Sequence, residues 1–115
     1  MAIARRVVFV LPHFEAGGIE RVVLNLLIHL DRSRFSPALV LFRRGGDLLE
    51  QVPAEVPILD LGGRRARDLV LPLVRTLRDL GPAVVYTGTC AANIVTLLAT
   101  RLMRPAPPVI VSEHS

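Results

Sequence analysis

The chain has 115 residues, enough for one domain that buries roughly two-thirds of its unfolded surface. Hydrophobic residues make up 51% but aromatics only 4%, so the core is built of Val, Leu, Ile and Ala, which suits parallel strands buried under helices. The net charge of +4 is carried by Arg without any Lys, and the pairs Arg5-Arg6, Arg43-Arg44 and Arg64-Arg65 are too short, dispersed and free of interleaved aromatics for a nucleic-acid stripe.

Residues 6–11 read as a buried strand, with Val7, Val8, Phe9 and Val10 in unbroken succession. A helix follows over residues 18–30. Ile19, Val22, Val23, Leu26, Leu27 and Leu30 recur at helical spacing, and Leu24 and Ile28 widen the stripe, which predicts burial on more than one side. After a polar turn at residues 31–34, residues 35–42 form a second strand. Gly45-Gly46 turn the chain, and Asp47 is placed to cap a short helix ending at Gln51. Residues 58–61 give a short third strand between Pro57 and Gly62-Gly63. Leu69, Val70, Leu73, Val74, Leu77 and Leu80 mark the next helix. Pro72 is expected in its first turn, where a missing N–H costs least, and Gly81 just past its end. Residues 83–86 are the fourth strand. Thr87-Gly88-Thr89 then lead into a helix marked by Ile94, Val95, Leu97, Leu98 and Leu102, with Thr89 as its cap and Pro105 beyond it. Residues 108–111 are the fifth strand, followed by Ser112-Glu113-His114-Ser115.

Strand and helix alternate throughout. That is the pattern of an α/β fold: a Rossmann-like, doubly wound parallel sheet of about five strands, in order 3-2-1-4-5, between two helical layers. In such sheets ligands sit at the carboxyl ends of the strands, where strand order reverses. Here that point lies between the first and fourth strands. The loops bordering it are residues 12–18 and 87–89, with residues 112–115 as a third candidate.

Gly17 and Gly18 stand where the first loop enters its helix. Glycine there permits positive φ and close approach of a ligand to the backbone, and the helix N-terminus offers free N–H groups and partial positive charge. Together they suit a phosphate; a tight strand–helix turn with no ligand explains them as well. The pattern is neither G-x-G-x-x-G nor a phosphate loop, and no Lys exists to complete one, which disfavours a dehydrogenase or nucleotide hydrolase. Glu20 falls in the first helical turn, where the dipole stabilises a carboxylate.

The stretch GGIERVVLNLLIHL, after VVFVLPHFEA, resembles the start of GT-B glycosyltransferases, in particular the family 4 group of retaining, nucleotide-sugar-dependent enzymes. The shared features are Gly17, Gly18, Glu20 and Asn25. LGPAVVYTGTCAANIVTLLATRL resembles that group's fourth strand and following helix, and PPVIVSEHS its fifth strand and a terminal histidine. The resemblance runs from Arg6 to Ser115. It implies retaining transfer of a hexosyl-type sugar from a nucleotide sugar to a sugar, lipid or other acceptor, with no cofactor and no metal. It places Gly17, Gly18 and Glu20 near the donor phosphates and His114 near the donor sugar as the catalytic candidate. It also implies a second, donor-binding domain carrying paired glutamates, so that residues 1–115 are a single, partial, acceptor-side domain, expected to be inactive alone. An incomplete domain leaves apolar surface uncovered, and a homodimer or aggregation is expected of it.

Other residues are weighed against plainer roles. His13 suits substrate contact, since imidazole both donates and accepts, but a lone loop histidine is also ordinary surface. Thr87, Gly88, Thr89 and Asn93 suit a sugar, and helix capping by Thr89 is the rival account. His29 near the end of its helix is explained by the dipole. His13, His29 and His114 have no metal-ligand spacing. Arg64, Arg65 and Arg67 form a basic loop, solvated or facing an anionic acceptor or membrane. The lone Cys90 excludes an internal disulfide and a cysteine-cluster zinc site, and with no convincing signal peptide in residues 1–11 it points to the cytoplasm, with peripheral association at the inner membrane face as an option. No window approaches about 18 apolar residues, as a membrane span would need. The readings from other classes are a non-catalytic flavodoxin-like module and a nicotinamide-binding domain. A receiver domain lacks its acidic pocket and lysine, and the second strand ends Phe42-Arg43 without the acidic residue a nicotinamide cofactor wants.

Overall fold

The computed structural model describes residues 4–63 and 65–112. Five parallel strands, β1 (Arg5–Leu11), β2 (Phe35–Leu41), β3 (Ile58–Asp60), β4 (Val84–Thr87) and β5 (Val109–Val111), form one sheet in the order β3-β2-β1-β4-β5. The helices are α1 (Gly18–His29), α2 (Ala66–Leu80) and α3 (Cys90–Arg101), with a 3-10 turn at Asp47–Gln51. This is the α/β sheet expected from the alternation of elements, with the predicted strand order. Both edge strands, β3 and β5, are three residues long, which limits the unpaired backbone the sheet exposes.

Strand alternation divides the core in two. Val8, Val10, Ala38, Val40 and Val85 face α2 and α3. Val7, Phe9, Leu11, Leu39 and Leu41 face α1 and the 3-10 turn. Val8, Val10, Leu39 and Leu41 are fully buried, each contributing roughly 1.5–3 kcal/mol. α1 ends on its own basic anchor: the Arg32 guanidinium donates to the Leu30 carbonyl at 3.0 Å and to the Leu27 carbonyl, and pairs with Glu55 at 3.3 Å. α2 ends at Gly81, which takes the left-handed conformation (φ 58°) and donates its N–H to Leu77 at 2.9 Å.

Three helical expectations are corrected. α1 is not buried on more than one side: Ile19, Val23, Leu24 and Leu27 are inside, while Val22 and Ile28 are exposed. Pro72 does not lie in the first turn of α2. That helix starts at Ala66, through residues 66–68 that carry no apolar signal, so Pro72 falls in its second turn on a half-buried flank. Of the apolar residues that mark α3 in the sequence, only Val95 is buried. The inner face of α3 is Ala92, Asn93, Val95, Thr96, Ala99 and Thr100, while Ile94, Leu97, Leu98 and Leu102 point outward, 45–54% exposed. Small residues let α3 lie close to the sheet, and the Thr100 hydroxyl is satisfied by the Thr96 carbonyl at 3.0 Å.

The loops after β1 and β2 are joined by backbone. Phe42 N–H donates to Leu11 O at 3.1 Å, Arg43 N–H to Pro12 O at 3.2 Å, Phe14 N–H to Gly45 O at 2.9 Å and Leu48 N–H to Phe14 O at 3.1 Å. Asp47 does not cap its own turn as expected; its carboxylate accepts the Ala16 N–H at 2.8 Å, across the junction. Phe14 is fully buried and anchors the loop in the α1-side core. At Gly46 the chains touch: φ is 123°, and a Cβ would lie 2.2 Å from the Phe14 carbonyl carbon. Gly46→Ala is therefore expected to cost about 2 kcal/mol or more, through both strain and overlap. Gly45→Ala, with nothing within 4 Å of its Cβ position, should stay within about 0.5 kcal/mol. Denaturant titration of the two variants checks this pair.

Candidate functional site

All five strands point the same way, so the loops of interest share one rim. α1 begins there beside β1, with Gly17 as its N-cap. Arg21 makes the first helical bond, to Gly17 O at 3.1 Å, and among the described residues no side chain caps the amides of Gly18, Ile19 and Glu20 before it. Those three N–H groups carry the partial positive charge of the helix end.

The backbone here differs from the sequence expectation. Gly17 has φ −145°, ordinary extended backbone, and Gly18 is the first helical residue. Positive φ is found at Gly46, Gly62 and Gly81 instead. What Gly17 provides is room. A Cβ on it would meet Glu20 Oε1 at 2.7 Å, because the Glu20 carboxylate folds back over it. Gly18 has nothing within 4 Å of its Cβ position and is open. Glu20 is buried, and its Oε2 lies 3.8 Å from Nδ1 of His13, whose side chain is half exposed. An anion entering at Gly17 would meet this carboxylate first, so the helix end is open to an anion only when Glu20 swings aside.

The loop after β4 touches the same place. Gly88 is buried, and a Cβ on it would lie 2.3 Å from a side-chain carbon of Ile19, so the start of α1 packs directly on it. Thr89 caps α3 by accepting the Ala92 N–H at 3.2 Å. Thr87 and Asn93 are buried, and both Thr87 Oγ1 and Asn93 Oδ1 lack a hydrogen-bond partner among the described residues. A buried unpaired oxygen costs roughly 1–3 kcal/mol, so these two are suited to an ordered water or a ligand hydroxyl rather than to isolation. Glu113 and His114 lie outside the described residues.

A cavity of about 460 Å³ opens on the other side of the β1 end, against the starts of α2 and α3. Pro12, His13, Arg43, Arg44, Gly63 and Ala66 line it, over a floor of Phe42 and Leu69. Sequence reading placed Arg43-Arg44 only as a short basic pair. The signal that they matter is their position directly after β2, on the ligand-bearing rim. His13 belongs to both regions, lining the cavity and approaching Glu20. Among the described residues no group of three or more His, Cys, Asp and Glu side chains converges as a metal site. Nor is any helix there long and apolar enough to cross a membrane.

A family profile described as Glycosyltransferase Family 4 matches residues 16–115, from the end of the first loop through every later element. The chain belongs to glycosyltransferase family 4. No curated protein matches it. The matched span contains Gly17, Gly18, Glu20, Thr87, Gly88, Thr89 and Asn93, and begins after His13. This family 4 domain thus brings the glycine turn, the β4 loop and the rim cavity around one strand end. It seals Gly88 and buries Thr87 and Asn93 rather than displaying them.

The roles of the two threonines separate experimentally. Thr89→Ala should cost about 1 kcal/mol through loss of the cap. Thr87→Val, which removes an unpaired hydroxyl at equal shape, should be neutral or stabilising. Equilibrium unfolding of both variants reads the difference, and a large loss for Thr87→Val would mean that its hydroxyl has a partner.

Proposed function

We propose that this domain is the acceptor-side half of a retaining GT-B glycosyltransferase, which moves a hexosyl-type sugar from a nucleotide sugar to an acceptor. The observation that carries the reading is the uncapped start of α1, at the point where strand order reverses, in a chain of this family. The amides of Gly18, Ile19 and Glu20 donate hydrogen bonds to the donor's diphosphate. Charge builds on that group as the sugar leaves, and fixed backbone dipoles stabilise it without reorganisation. Glu20 yields the site by turning from Gly17, and His13 is the group that receives it. His114 orients the donor sugar. Thr87, Gly88, Thr89 and Asn93 keep the β4 loop in place beside the reacting groups, with the Thr87 and Asn93 oxygens available to a sugar hydroxyl. No metal or cofactor is invoked.

In this reading the remaining donor contacts come from a second domain, so residues 1–115 bind but do not turn over. The compartment proposed is the cytoplasm, with peripheral attachment at the inner membrane face. Without that second domain, the outward leucines of α3 give the isolated chain a surface for self-association.

Titration with UDP-glucose or GDP-mannose, followed by amide NMR, is expected to move the resonances of Gly17, Gly18 and Glu20. NAD is expected not to. Movement with NAD alone would favour a nicotinamide-binding module, and no movement with any nucleotide a non-catalytic one. In an active enzyme that carries this sequence as its first domain, Gly17→Val and His114→Ala should each lower transfer by about tenfold or more, about 1.4 kcal/mol of barrier. Unchanged rates in both would remove the site assignment. Sedimentation should show a dimer or larger species for the isolated chain, and a monomer across the micromolar range would count against the exposed face as a contact.

A further inference from the structure

We infer that the cavity beside β1 is the acceptor site and that the acceptor it takes carries a phosphate group. The acceptor role rests on the glycosyltransferase reading above; the phosphate preference rests on the cavity itself.

Four features meet there. Arg43 and Arg44 line the wall, and among the described residues neither is in an ion pair, although Arg32 in the same chain finds Glu55. Two exposed arginines that line one concavity and have no ion-pair partner among the described residues favour a dianion, which guanidinium groups hold through paired N–H donors. The wall also includes Ala66, the first residue of the fifteen-residue α2, and Ala91, in the first turn of α3. No side chain caps α2, since its N-cap, Arg65, makes no side-chain bond there. The uncapped end of α2, and to a lesser degree the Thr89-capped end of α3, add positive potential to that of the arginines. One carboxylate, Glu15, also lines the cavity, and it leaves the balance positive. Finally, Phe42 and Leu69 give the floor an apolar surface for the carbon body of the ligand.

The cavity is preformed. Arg43 N–H is fixed to Pro12 O at 3.2 Å, and Gly63 packs so tightly that a Cβ would lie 1.8 Å from a Leu69 methyl carbon. His13 stands between this cavity and the α1 terminus, so the two regions are adjacent.

The test is a titration of the chain with glucose 6-phosphate, inorganic phosphate, glucuronate and glucose, read by amide NMR, with UDP-glucose as a separate arm. Glucose 6-phosphate is expected to move Arg43, Arg44, Gly45, Gly63 and Ala66. Inorganic phosphate should move the same set with weaker affinity, and glucose should move none. Substituting Arg43→Gln with Arg44→Gln should weaken glucose 6-phosphate binding by about tenfold or more, with the melting temperature unchanged. Arg43→Lys should restore part of the affinity, which a purely structural role would not do. Binding of glucose as tight as that of its phosphate, or shifts confined to residues 17–20, would overturn the assignment. Glucuronate binding as tightly as glucose 6-phosphate would overturn the phosphate preference in favour of any anion. Inorganic phosphate binding as tightly as the sugar phosphate would overturn the acceptor role. The UDP-glucose arm reports on the α1 terminus alone, so its failure would sink the donor reading while leaving the phosphate result to stand or fall separately.

Discussion

The rim of this domain depends on one close contact between backbones. Gly46 lies against the carbonyl of Phe14 with no space for a side chain, and the bonds around it make the loops after β1 and β2 a single unit. The turn that carries the glycines of α1 is therefore fixed from three directions: the buried Phe14 ring below, the Asp47 carboxylate on the Ala16 N–H, and the strand it leaves. Among the described residues no side chain holds the loop at the amides that open α1. It is held by its neighbour instead.

This arrangement also sets the chemistry of the two faces of the rim. On one side is a helix end shielded by a carboxylate, on the other a cavity carrying arginines, and His13 lies between them. Glu20 is buried, and the half-exposed His13 imidazole lies 3.8 Å from its carboxylate, between the helix end and the cavity. The two sites are thus linked through a side chain, while the backbone beneath them stays fixed.

Much of the fold was legible in the sequence. Unbroken apolar runs such as residues 7–10 and 38–41 can only be strands covered on both faces, and the helices between them force parallel pairing. Gly81 and Thr89 were readable as helix end and helix start because capping is local chemistry. What was not legible depends on distant parts of the chain. The apolar residues of α3 mark it as a helix in the sequence; only the packed structure shows that Ala92, Thr96 and Ala99 are the buried ones. Gly17 and Gly18 were read as places for positive φ, a conformation that occurs instead at Gly46, where a second loop approaches. Arg43-Arg44 became a feature only when residues from the loops after β1 and β3 and from α2 and α3 closed a cavity around them. Of the site residues, His114 remains a sequence expectation.

α3 carries a consequence for how the domain can vary. Its smallest residues are the ones in contact, so adding a single methylene at Ala92 or Ala99 would lever the whole helix off the sheet. Its largest residues touch little, so Ile94, Leu97 or Leu102 can change in size or polarity with almost no cost to folding. Apart from the buried Val95, constraint along this helix runs opposite to side-chain size, and the greasy side would drift freely unless something outside the fold holds it in place.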